Sequence, residues 1–97
     1  MHKFMCTHTL PGGSMTYDQL CQVADAAQHD FDVRGYRSFV NLTEGKICCV
    51  LEADDRDKIV SWFGKMNIPY DSITQVEWEG ERGVFEDVRE PAMAGAL

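Results

Sequence analysis

Positive charge is scarce in this chain. Nine lysines and arginines stand against sixteen acidic residues, a formal net charge of −7 over 97 residues. That balance argues against nucleic acid or an anionic membrane as partner, because phosphate recognition needs clustered Lys and Arg. Long apolar runs are lacking as well. The opening MHKFMCTHTL is too broken for a signal peptide, and no stretch approaches the ~20 apolar residues of a membrane span. A cytoplasmic address is the expectation, and there Cys6, Cys21, Cys48 and Cys49 stay as thiols. Their spacing is neither CxxC nor that of a zinc ribbon. Asn41-Leu42-Thr43 spells a glycosylation sequon, which has no meaning without secretion. No internal repeat appears beyond the pattern of the fold itself. What is present suffices for one domain: 44% hydrophobic residues for a core and 26% charged residues for a surface.

Residues 3–10, KFMCTHTL, alternate and predict a first strand. Phe4, Cys6, His8 and Leu10 share one face; Lys3, Met5, Thr7 and Thr9 share the other. Pro11-Gly12-Gly13-Ser14 ends it. Thr16 with Gln19 forms a capping box, and Leu20, Val23, Ala24 and Ala27 then recur at helical spacing. Residues 36–53, YRSFVNLTEGKICCVLEA, read as a hairpin turning at Asn41, Glu44 and Gly45. In its first arm Tyr36, Ser38 and Val40 oppose Arg37, Phe39 and Asn41. In its second, Ile47, Cys49 and Leu51 oppose Cys48, Val50 and Glu52, and the apolar set should face the helices. Asp54 or Asp55 caps a second helix, whose buried stripe is Ile59, Phe63 and Met66 supported by Trp62. Asn67 closes it as a left-handed cap before Ile68-Pro69. ITQVEWE, residues 73–79, predicts a fourth strand.

The order β-α-β-β-α-β predicts an α+β, ferredoxin-like plait: an antiparallel sheet with two helices on one face. Right-handed crossovers make strands one and three central neighbours. Residues 1–80 form the domain and 81–97 a C-terminal tail. Within the tail, Val84-Phe85 is expected as an extra edge strand or a strand swapped onto a partner, and PAMAGAL is expected to fray.

This topology brings Cys6, His8 and Cys49 together under the helices. Two thiols and an imidazole are a soft N/S set suited to nickel, zinc or copper, with Met66 as a weak thioether. The plain alternative makes the cysteines small hydrophobes and leaves His8 half solvated at the strand end. The Met1-His2 terminus offers a second chelating group, and His29 reads as a surface residue closing the first helix. No oxyanion-hole or orienting-carboxylate pattern accompanies these residues, so the reading leans away from an enzyme. Met5, Phe39 and Val50 make the open sheet face too apolar to stay wet, which favours a homodimer formed sheet to sheet. A different class of function would use the space between sheet and helices, as a small-molecule-binding or enzymatic α+β-barrel dimer lined by Tyr36, Ser38, His8 and Trp78.

Three stretches carry a family resemblance: FMCTHTLPGG, RSFV and GKICCVLEAD. Together they resemble a small ferredoxin-like family of unknown function that includes a bacterial nickel-responsive, nickel-binding protein. The likeness spans about residues 4–79, and His8, Cys49 and Glu52 match its pattern. Cys6 replaces an acidic residue, and Asp54 a proline. Where such members carry helix histidines, this chain has Ala24, Trp62 and Met66. The resemblance implies a dimeric plait with metal ions bound at its surface or dimer edge, for sequestration, and no demonstrated reaction.

Overall fold

A computed structural model describes residues 1–89 of the chain. The alternation of KFMCTHTL becomes β1 (His2–Thr9), with Phe4, Cys6 and His8 buried and Met5 and Thr9 exposed. The capping box forms as expected. Thr16 Oγ1 accepts from the Gln19 amide at 3.1 Å, Gln19 Oε1 accepts from the Thr16 amide at 2.9 Å, and α1 (Tyr17–Gln28) follows. The hairpin is β2 (Arg34–Asn41) and β3 (Lys46–Ala53). Asp55 caps α2 (Arg56–Met66) by accepting from the Lys58 amide at 3.0 Å. The helix ends at Asn67, left-handed at φ 56°, as its small polar side chain permits.

β4 (Ser72–Gln75) completes a four-stranded sheet in the order β2-β3-β1-β4. Each pairing is antiparallel, and β1 and β3 lie side by side in the middle. The described residues are thus α+β, with two helices and antiparallel sheets. Phe4, Cys6 and Leu51 of the sheet share one buried cluster with Ala27 of α1 and with Ile59, Trp62 and Phe63 of α2. Both helices therefore cover the same face.

Three expectations need correction. ITQVEWE is not one strand. The ladder with β1 ends at the Phe4–Gln75 pair although β1 runs on to His2; Val76 N–H still donates to Lys3 O, and the chain then bends at Glu77. Trp78–Glu81 is instead β5, paired with β6 (Val84–Asp87) in a separate two-stranded sheet. The strand expected at Val84-Phe85 exists, but it pairs with β5 rather than along the edge of the main sheet. Its turn needs left-handed backbone at both central residues, Arg82 at φ 52° and Gly83 at φ 84°, the geometry that matches strand twist in two-residue hairpins. This hairpin spans the division placed after Gly80.

The third correction concerns Tyr36. A β-bulge shifts the register between Gly35 and Arg37, and one extra residue reverses alternation locally. The Tyr36 ring lies under the Lys3 ammonium at 3.8 Å and its hydroxyl donates to Glu79. It has turned toward the face that carries Lys3, away from Ser38. The fraying expected of PAMAGAL concerns residues outside those described.

Candidate functional site

Cys49 is the centre of the site. Register pairs it with Cys6 on β1, and His8, two residues along, reaches across from the same face. Cys49 Sγ lies 3.4 Å from His8 Nε2. The imidazole is fixed from three sides. Its Nδ1 lies 2.7 Å from the Pro69 carbonyl, which can only accept, so Nδ1 carries the proton and Nε2 is turned to the sulfur. Phe63 meets the ring edge-on at a centroid distance of 5.2 Å. Burial to 6% exposure completes its enclosure. The local sequence explains the carbonyl: Asn67 ends α2 in the left-handed conformation, and Ile68-Pro69 then carries the chain back over β1.

Electrostatics single out the same sulfur. A hydrogen bond from the Cys6 thiol, then the contact with His8, outweigh burial and bring Cys49 down to about 5. Cys6 moves the opposite way, raised first by Cys49 and then by its own burial. For His8, burial pulls downward, but the Cys49 sulfur and the Pro69 carbonyl prevail and raise it. The outcome is a Cys49 sulfur held toward its thiolate form beside His8, the form in which sulfur is both a nucleophile and a metal donor.

Cys49 and His8 open onto a cavity of about 640 Å³ between sheet and helices. Its walls are mostly apolar, with Leu20, Val23 and Ala27 of α1 facing Trp62 and Met66 of α2. Ser38 stands on the wall as expected. Tyr36 borders the cavity, but its phenol is committed to Glu79. Trp78 is not there: it sits on β5, 53% exposed, with the Arg89 guanidinium over its ring at 5.3 Å. Ala24, Trp62 and Met66, the positions that carry histidine in the family resemblance, all line the cavity.

The other candidates are elsewhere. Cys48 pairs with Thr7 and Phe39 on the opposite sheet face, and Cys21 is exposed on α1. His2 Nδ1 lies 2.7 Å from the Arg89 carbonyl and His29 Nδ1 2.9 Å from the Asp25 carbonyl, so each donates to backbone. Sequence reasoning missed Pro69 and Phe63 as the groups that orient His8. The only available signal was Ile68-Pro69 itself, which reads as a helix stop rather than as a carbonyl delivered to β1.

Residues 4–76 match the family model described as nickel responsive protein SCO4226-like. The chain belongs to that family. No curated protein and no solved structure matches it. The SCO4226-like span takes in β1 through β4 and all of Cys6, His8 and Cys49, while the β5–β6 hairpin lies beyond it. Among the described residues no group of three or more His, Cys, Asp or Glu is arranged to hold a metal ion. None of the described helices is long and apolar enough to cross a membrane.

The donor geometry nevertheless suits a shared ion at two points. A sulfur at about 2.3 Å and an imidazole nitrogen at about 2.0 Å from one tetrahedral ion sit about 3.5 Å apart. The observed Sγ–Nε2 separation is 3.4 Å. Cys6 is enclosed, with its thiol also directed at the Phe4 carbonyl at 3.7 Å, so it would have to turn to serve as a third donor.

Proposed function

We propose that this protein binds a borderline-soft divalent cation, nickel foremost, in a metal-response or sequestration role. Cys49 and His8 are the primary donors, Cys6 the third sulfur and Met66 a weak thioether. The observation that carries the reading is the 3.4 Å approach of Cys49 Sγ to His8 Nε2 at the wall of an open cavity. An anionic sulfur beside a nitrogen of fixed tautomer favours transition metals over Mg²⁺ or Ca²⁺, which take oxygen ligands. The cavity leaves room for water or a small ligand to fill the remaining coordination positions. Membership of a family described as nickel responsive points the same way.

The reading includes a ferredoxin-like plait, supported by the central β1–β3 pair, and a homodimer joined through the open sheet face. It also places the protein in the cytoplasm, where its thiols stay reduced. Nickel titration of reduced, tag-free protein is the test. A thiolate-to-metal charge-transfer band should grow to saturation and vanish in Cys49→Ala; absence of the band in the wild type would refute metal ligation by sulfur.

A second reading rests on the cavity. Its volume of about 640 Å³ falls within the roughly 300–1,000 Å³ of small-molecule sites. An apolar ligand would lie between α1 and α2, with His8 and Ser38 as polar contacts. Binding of a small apolar probe that nickel does not displace would favour it.

A further inference from the structure

Beneath the helices a buried thiol, Cys6, and a half-buried one, Cys49, form a pair whose chemistry goes beyond metal ligation. Cys6 and Cys49 are register partners on the antiparallel strands β1 and β3. Directly opposed residues of such strands have Cα atoms about 4.5–5.5 Å apart, inside the roughly 4.4–6.8 Å that a disulfide spans. Their side chains leave the same face of the sheet. Access to them differs. Cys49 lines the cavity, whereas Cys6 has no exposed surface and is not among the residues that line it. A small oxidant entering the cavity meets Cys49 first, and a product formed on Cys49 has Cys6 as its nearest thiol. Cys48 points to the other face and Cys21 lies out on α1.

We infer that Cys49 is a hydroperoxide-reactive thiol and Cys6 its resolving partner, closing a reversible Cys6–Cys49 disulfide across β1 and β3. In the first step the Cys49 sulfur attacks the O–O bond of a hydroperoxide. Cys49–SH and ROOH become Cys49–SOH and ROH; the sulfur loses two electrons and the peroxide gains them. In the second step the Cys6 sulfur attacks the sulfenic sulfur. Cys49–SOH and Cys6–SH become the disulfide and water. A dithiol reductant reverses the result by exchange, and is itself oxidised to its disulfide.

The experiment treats reduced, metal-free protein with one equivalent of hydrogen peroxide under native conditions, followed by mass mapping. Metal-free protein keeps the outcome separate from nickel binding. The expected product has lost the mass of two hydrogens, carries a Cys6–Cys49 cross-linked peptide and retains Cys21 and Cys48 as free thiols. In Cys6→Ser, Cys49 should instead hold a sulfenic acid that a 1,3-dione traps. The double variant Cys21→Ser/Cys48→Ser leaves the core untouched and should still lose both of its thiols. Cross-links through Cys21 or Cys48, or Cys49 passing to sulfinic acid while Cys6 stays a thiol, would overturn the inference.

Discussion

At the scale of single residues, the site depends on which protons Cys49 and His8 hold. Cys49 is drawn down to about 5 by the Cys6 thiol and His8. The sign follows directly: the thiolate persists above that pH and is lost on acidification through it. Alkylation of Cys49 by iodoacetamide should therefore be near its plateau at neutral pH and fall about tenfold per unit below about 5. In His8→Ala the inflection should move upward, because a group that stabilises the thiolate has gone. An inflection in the range of an ordinary thiol, about 8.5, in the native protein would contradict the pairing. The convergence of Cys49 with His8 was legible in sequence, because strand alternation gives the face and crossover handedness gives the neighbour. The role of Pro69 was not. It depends on the path of a loop, and no local pattern announces where a carbonyl will end.

Among the elements, alternation succeeded where strands were regular and failed where one residue was inserted. β1 and β3 behave as their patterns require, but the bulge after Gly35 moves Tyr36 to the other face and withdraws its hydroxyl from the cavity. The β5–β6 hairpin departs from the sequence pattern for a related reason. ERGV lacks the Asn-Gly or Asp-Gly that usually marks a two-residue turn, so the run through Trp78 looked continuous. The β2–β3 turn forms where its residues predict, with Gly45 N–H donating to Asn41 O, and it has a stringent point. Gly45 sits at φ 73°, and a Cβ there would fall 1.9 Å from the Leu10 carbonyl oxygen, on the backbone leading into α1. Gly45→Ala should cost about 2–4 kcal/mol in denaturant unfolding, combining left-handed strain with that clash. Gly83→Ala should cost only about 1–2 kcal/mol, since its φ is 84° but no atom lies within 4 Å. Equal losses would mean that the contact between the β2–β3 turn and the start of the α1 connection is unimportant.

For the whole molecule, one sheet face is covered by helices and the other carries apolar side chains into solvent. Phe39 is 64% and Met5 40% exposed on that open face. A homodimer through it would bury both, and Phe39→Asp should convert a dimer to a monomer in equilibrium ultracentrifugation with little change in secondary structure. A wild-type monomer at all accessible concentrations would rule the dimer out. The two faces also divide the cysteines: Cys49 joins Cys6 and His8 on the cavity side, and Cys48 belongs to the open sheet. Nickel titration of Cys49→Ala beside Cys48→Ala therefore decides whether the metal is held on the cavity side by Cys49. The charge-transfer band should be lost in Cys49→Ala and kept at wild-type affinity in Cys48→Ala; a band that survives loss of Cys49, or disappears with Cys48, would show that the metal is held elsewhere than at the cavity wall.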